Sequence, residues 1–289
     1  MASHATLPHA ASEGFKDAAA YDAHRPSYPR EAVDQLLGRL KIAGQADARV
    51  VEIAAGTGKF TELLAARPKR YLVKAVEPHD GMRGILAAKD LPAVEVLEGR
   101  ADKMPVEGEW GDACIAAQAF HWFATPEALT EIHRVLRAGA VFGVIWNIDS
   151  YNKPPAWETP TKWEQELNEW ILTFQDGNRR FRDQEWKKVF EQQLPSNPLQ
   201  VIKNTLSDHL PRFSLPLGEA KVPFEVWLTE DALWSRLRTL SQVAVLSQED
   251  LEKAEARVRE ILKGDDVERN SKGELKLHGD TYFAWTDRI

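Results

Sequence analysis

Between residues 49 and 147 the chain alternates short apolar runs with longer stretches whose apolar residues recur every three or four positions. The runs predict strands over 49–54, 71–77, 93–98, 112–117 and 140–147. The periodic stretches predict helices over 59–67, 79–89 and 125–137, with an earlier one over 30–41. Such alternation calls for a mostly parallel sheet covered by helices on both faces. Past residue 150 the pattern changes. Trp157, Trp163, Leu167, Trp170, Ile171 and Phe174 recur at helical spacing, a helix is expected over 180–193 around Trp186, Val189 and Phe190, and Pro195, Pro198, Pro211 and Pro216 follow. An aromatic stripe of this kind packs as core or caps an apolar pocket. Val222–Leu228 predicts a sixth strand, helices follow over 230–240 and 248–263, and Tyr282–Trp285 predicts a seventh strand.

Composition narrows the class. The 289 residues are 43% hydrophobic, enough for a sizeable core, and no apolar run reaches the ~20 residues of a membrane helix. The first residues lack a basic stretch followed by an apolar one, so no signal peptide is expected. The single cysteine, Cys114, sits in an apolar run and reads as a core residue in a reducing, cytoplasmic compartment. No Cys/His spacing suggests a metal. The net charge of −7 argues against broad nucleic-acid binding.

The chemistry concentrates where the first strand ends. Val50-Val51-Glu52-Ile53 runs into Ala54-Ala55-Gly56-Thr57-Gly58, and a helix opens at Lys59. Small residues there let a ligand lie on the backbone. The turn lacks the third glycine of a dinucleotide fingerprint, and no phosphate-binding P-loop is present. Glu52, just before the turn, suits an ammonium or sulfonium better than a pyrophosphate. The second strand ends in Glu77-Pro78, roughly 20 residues past the turn, the spacing of a carboxylate that accepts from ribose hydroxyls.

Five motifs in order carry a family resemblance: Glu52-x-Ala-x-Gly56-x-Gly58; Val-Glu77-Pro78; Gly99-Arg100-Ala101-Asp102-x-Met-Pro105; Asp112…Gln118-Ala119-Phe120-His121-Trp122-Phe123; and Glu131-Ile132-His133-Arg134-Val135-Leu136-Arg137-x-Gly139. Over about residues 48–147 the chain resembles class I S-adenosylmethionine-dependent methyltransferases, within them the type-11 small-molecule branch that includes trans-aconitate methyltransferases. The sequence departs from many relatives at Ala54, where they carry glycine. The resemblance implies a Rossmann-like α/β fold with a seven-stranded, mostly parallel sheet, an antiparallel last strand and a helical, aromatic insertion. It divides the chain into a flexible tail (1–12), a lid and helix (13–41), a cofactor-binding core (42–150), an insertion or substrate cap (151–220) and closing strands and helices (221–289).

The resemblance also implies a site. S-adenosylmethionine, leaving as S-adenosylhomocysteine, would be held by Tyr21, Arg25, Glu52, Ala54, Gly56, Thr57, Gly58, Glu77, Pro78, Met82, Ala101, Asp102, Gln118 and Ala119, without a metal. Arg25 would pair with the methionine carboxylate and Asp102 would accept from the adenine amino group. Met82 packs on the nucleoside or in the core. Tyr28, Trp122, Trp146 and Asn147 are the candidates for binding substrate. His121 is the candidate base, its other reading being a structural histidine. The expected function is methyl transfer to an O, N or S atom of a small molecule. The competing readings are an RNA or protein methyltransferase and a cofactor-binding regulator without turnover. No membrane or nucleic-acid partner is expected, and the chain is read as a monomer or homodimer.

Overall fold

The computed structural model describes residues 26–174, 177–193 and 211–289. One sheet organises them, with strand order β3-β2-β1-β4-β5-β7-β6. The strands are β1 (Arg49–Ile53), β2 (Leu72–Val76), β3 (Val94–Leu97), β4 (Gly111–Ala117), β5 (Leu136–Asp149), β6 (Gly218–Leu228) and β7 (Leu275–Asp287). The first five pair in parallel, while β7 runs antiparallel to both β5 and β6. The seven-stranded sheet with one reversed strand is the architecture expected from the sequence.

Each strand forms for a legible reason. Val50, Val51 and Ile53 are fully buried in β1, which is covered on both faces. Two hydrophobic clusters do the covering. One face holds Val51, Ile53, Phe120, Phe142 and Trp146 with the aromatic residues Phe181, Trp186 and Phe190. The other holds Val50, Phe60, Leu64, Ile115 and Phe283 with Tyr28, Leu36 and Leu40. The helices are α1 (Arg30–Arg39), α2 (Lys59–Ala65), α3 (Asp80–Ala88), α4 (Pro126–Val135), α5 (Lys162–Leu172), α6 (Lys188–Glu191), α7 (Glu230–Arg238), α8 (Ser241–Ala244) and α9 (Gln248–Ile261). Thr125, Thr161, Thr229 and Ser247 cap α4, α5, α7 and α9 by accepting a backbone N–H of the first turn. No helix among the described residues is long and apolar enough to cross a membrane.

Three expectations need correction. The last strand is 13 residues long rather than four. Its first half alternates Leu275, Leu277 and Gly279 inward with Lys276, His278 and Asp280, so it offers no apolar run to find. The sixth strand likewise begins earlier, at Gly218. The helix expected over 180–193 is two 3₁₀ turns and the short α6, broken at Gln184, whose φ is 55°. Asp183 accepts the Arg180 N–H at 2.8 Å and closes the first of these turns. The expected tail at 1–12, most of the lid including Tyr21 and Arg25, and Pro195 and Pro198 lie outside the described residues.

Two features position the site. Strand order reverses between β1 and β4, and a crevice opens beyond the carboxyl ends of these strands. The β6–β7 ribbon continues past Asp149, which pairs with Gly279, as far as Leu228, which pairs with Leu275. Leu275 and Leu277 on this extension join Tyr151, Trp163, Leu167, Leu233, Leu237 and Val258 in a third hydrophobic cluster. The helices α5 and α7–α9 therefore form a cap rooted beyond the carboxyl edge of the sheet.

Candidate active site

The turn after β1 is built from unusual backbone. Ala54, Gly56 and Gly58 all have positive φ, at 52°, 60° and 91°. A Cβ on Gly58 would sit 2.4 Å from Leu86 Cδ1, so glycine is required there on two counts. Ala54 occupies the left-handed region without glycine's freedom, a local strain of about 1 kcal/mol. Gln118, at the end of β4, has φ 60°. The two strained residues stand at adjacent strand ends, on either side of the crevice. Strained backbone gathers at functional sites because surrounding structure must hold it.

Glu52 is buried, and neither carboxylate oxygen has a hydrogen-bond partner. Burial pushes its carboxyl up to about 8; the Thr61 hydroxyl draws it down without reaching hydrogen-bond geometry, and the Glu77 charge adds to the rise. An orphaned carboxylate beside a glycine turn is expensive unless something cationic or hydrogen-bonding completes it. Glu77 is buried too. One oxygen accepts the Gly56 N–H at 2.8 Å, the other the His79 N–H at 2.8 Å. Burial raises its pKa, and these two N–H groups oppose the rise. Each carboxylate oxygen keeps a second lone pair for ribose hydroxyls. Arg83 locks the following turn by donating to the carbonyls of Glu77 and Pro78 at 3.1 and 3.3 Å. Met82 is buried, and its sulfur lies 3.8 Å from where a Cβ on Gly56 would stand, so it packs under the turn. Thr57 is buried in the same turn.

The loop after β3 presents Ala101 and Asp102. Arg100 holds Asp102 bidentately at 2.9 and 2.8 Å and keeps its carboxyl below the usual range. Helix α4 clips the base of the loop. Glu131 accepts the Met104 N–H at 2.7 Å, and Arg134 donates to the carbonyls of Met104 and Val106 at 3.2 and 2.8 Å. After β4, Gln118 donates to the Asn147 carbonyl at 3.0 Å, and Ala119 is buried.

The structure assigns different work to three residues expected to bind substrate. Trp146 has no exposed surface; its indole N–H donates to His121 Nδ1 at 3.1 Å and its ring packs on Phe181 and Trp186. Since an indole nitrogen only donates, Nδ1 is an acceptor and the ring hydrogen is on Nε2. This favours the structural reading of His121 over the general base. Asn147 is committed as well: its amide donates to the Ser27 carbonyl at 3.1 Å and accepts from Thr281 at 2.7 Å, tying the N-terminal segment to β7. Tyr28 is buried edge-on against Phe60, with ring centroids 5.2 Å apart. Trp122 is half-buried beside His121, with ring centroids 4.9 Å apart. Arg83, Glu131 and Ser27 went unremarked as site supports because their partners lie in other elements. Among the described residues no three His, Cys, Asp or Glu side chains gather to hold a metal.

The donor set fits S-adenosylmethionine. An unsatisfied buried acid, a second acid with lone pairs to spare and an open glycine turn match the cationic and ribose parts of that molecule. Comparison with known proteins agrees. Residues 51–144 match the family described as a methyltransferase domain. A methyltransferase-like protein of Schizosaccharomyces pombe is 29% identical over 248 residues, which is 86% of this chain and 84% of that one. A methyltransferase of Mycobacterium bovis is 41% identical over 128 residues; that match spans 44% of this chain and about half, 49%, of the relative. A solved structure described as a type II methyltransferase from Anaeromyxobacter dehalogenans shares the fold, with a TM-score of 0.55 and 21% identity, covering 90% of this chain and 97% of that one. Residues 51–144 thus form a methyltransferase domain of the S-adenosylmethionine-dependent kind, on a fold shared with solved methyltransferases.

Proposed function

We propose that this chain methylates an O, N or S atom of a small cytoplasmic molecule, acting as a monomer or homodimer. The observation that carries the reading is the pair of buried acids, Glu52 and Glu77, flanking the glycine turn at the strand-order reversal. Glu52 would meet the amino-acid end of the cofactor and Glu77 the ribose. Asp102 would meet the adenine, with the backbone of the Gly56 turn facing the chain between. When bound, the cofactor supplies a methyl group activated on a sulfonium. The protein's part is then alignment and exclusion of water. Gln118 and Ala119 form the floor between cofactor and acceptor, and Trp122 stands at the edge as an apolar wall. His121, with Trp146 fixing its tautomer, positions that wall and needs no proton transfer.

The small-molecule reading is supported by the cap. Helices α5 and α7–α9, built on the β6–β7 extension, stand over the edge of the sheet where an acceptor must enter. A net charge of −7 adds nothing to attract a polyanion. The test is transfer from cofactor labelled in its methyl group, with separate small-metabolite, RNA and protein fractions as acceptors. Label in the metabolite fraction is the expected result. Label confined to RNA or protein, or cofactor binding with no transfer to any fraction, overturns the reading.

A further inference from the structure

A cavity of about 630 Å³ opens at the amino ends of β4 and β5, the opposite edge of the sheet from the cofactor crevice. Gly108 and Glu109, just before β4, form one wall, and Thr130, His133 and Arg134 of α4 form another. The third is the chain on either side of the closing strands, at Arg212 and Arg288. Backbone contacts draw this wall together. Phe213 bridges to Arg288, whose N–H donates to the Ala140 carbonyl at 2.8 Å at the start of β5. Ile289 donates its N–H to the Arg212 carbonyl at 3.0 Å, and its own carbonyl accepts from His133 Nε2 at 2.9 Å. The His133 ring stands edge-on to Phe213, with centroids 6.0 Å apart.

Three guanidinium groups, of Arg134, Arg212 and Arg288, line the cavity with two carboxylates, of Glu109 and Glu131. The pairs they form leave donors over. Arg134 uses Nε and Nη2 on Glu131 and on the carbonyls of Met104 and Val106, and its Nη1 lies 3.9 Å from where a Cβ on Gly108 would stand. Arg288 gives Nη1 to Glu109 at 2.9 Å and to the Leu136 carbonyl, with Nε and Nη2 unused among the described residues. The exposed Arg212 guanidinium pairs with no carboxylate among the described residues. His133 registers the excess of positive charge. Burial lowers its pKa, the Ile289 carbonyl opposes this, and the Arg288 and Arg212 charges lower it further. Its ring is therefore neutral at pH 7 and leaves the balance to the arginines. A cavity of this size takes a small metabolite rather than a bare ion. Open donors on three separate guanidinium groups match a phosphate, with three terminal oxygens and roughly two negative charges, better than a carboxylate with two oxygens.

We propose that this cavity is a second ligand site, that it takes a small phosphorylated metabolite, and that Arg212, Arg288 and Nη1 of Arg134 hold the phosphate. The site lies apart from the methyl-transfer edge and does not depend on which atom the chain methylates.

Glucose 6-phosphate, gluconate and glucose test it, each titrated calorimetrically at fixed ionic strength into the full chain with S-adenosylhomocysteine present to fill the cofactor crevice. Glucose 6-phosphate should bind about tenfold or more tighter than gluconate, which offers a carboxylate, and than glucose, which offers no charge. Inorganic phosphate should compete with it. Arg212→Gln should weaken the sugar phosphate by about tenfold. That side chain is exposed, so the thermal midpoint should not move. Arg212→Lys should recover part of the loss, since it restores the charge without the fork. Arg30→Gln controls for net charge: Arg30 is 88% exposed on α1, which packs on the other face of the sheet, and its loss should leave the affinity unchanged. Glucose bound as tightly as its phosphate, no binding of any compound, or equal effects of Arg212→Gln and Arg30→Gln overturns the site. Gluconate bound as tightly as the phosphate overturns the assignment of the ligand. The Arg212→Gln comparison reads the same with or without S-adenosylhomocysteine, so a failure of the cofactor site is told apart from a failure of this one.

Discussion

Glu52 is the residue on which most depends, and its environment makes two demands. Its folded-state pKa of about 8 lies above the ordinary 4.5 of an exposed glutamate. The empty protein therefore holds it protonated near neutrality, and its contribution to stability is complete below 4.5 and lost as pH rises through about 8. Glu52→Gln keeps the shape without the charge. Denaturant titrations should find the variant and the parent alike at pH 5, and the variant more stable at pH 9, by on the order of a few kcal/mol. A parent that stays equally stable at pH 9 would show that Glu52 is solvated or paired. Ala54 invites a gentler change. Ala54→Gly relieves the left-handed strain but loosens the unfolded chain, so the two effects nearly cancel and stability should move by less than about 1 kcal/mol. The acids and the glycines were legible because their spacing along the chain encodes a turn and a strand end. The partners of Trp146, Asn147 and Tyr28 were not, since His121, Ser27, Thr281 and Phe60 meet them only through tertiary packing.

Among the elements, the turn from β1 into α2 is the least forgiving. Gly58→Ala must place a methyl group into Leu86 at positive φ, and chemical denaturation should register a loss of about 2–4 kcal/mol together with loss of cofactor binding. A fully stable Gly58→Ala protein would mean that α3 can shift away from the turn. Strands β1, β4 and β5 announced themselves as apolar runs because both of their faces are covered. Strands β6 and β7 were only partly visible, because the ribbon they form is covered on fewer positions and reads as alternation. The segment 180–193 carried a helical pattern in Trp186, Val189 and Phe190, yet burying these with Phe181 against Trp146 and Phe120 came with a break at Gln184. Tertiary packing overrode local periodicity there.

At the level of the whole molecule, a doubly wound sheet carries the glycine turn and its two acids, and a helical cap is built on the β6–β7 extension. The N-terminal segment is tied between them by Asn147, Ser27 and Thr281. Thr281→Val removes one half of this tie, leaving the Asn147 amide oxygen unpartnered in a partly buried position. It should lower stability by about 1–2 kcal/mol, read from the thermal midpoint, while cofactor affinity changes little. A large loss of cofactor affinity with unchanged stability would instead place Thr281 in the binding machinery. The order of the sheet and the place of the crevice could be read from the alternation of strands and helices together with five short motifs. The pairing of Asp149 on β5 with Arg236 on α7 could not, because the two are distant in sequence and no motif links them.

The central claim is that Glu52 and Glu77 clasp S-adenosylmethionine from its amino-acid and sugar ends. Titration calorimetry with S-adenosylhomocysteine at pH 7 measures this directly, using the parent, Glu52→Gln and Glu77→Gln in two buffers of different ionisation heat. The parent should bind with release of a proton from Glu52, and each variant should lose about tenfold or more in affinity, the Glu52→Gln protein also losing the buffer dependence. Silence in the calorimeter from the parent, or equal affinity in all three proteins, would contradict it.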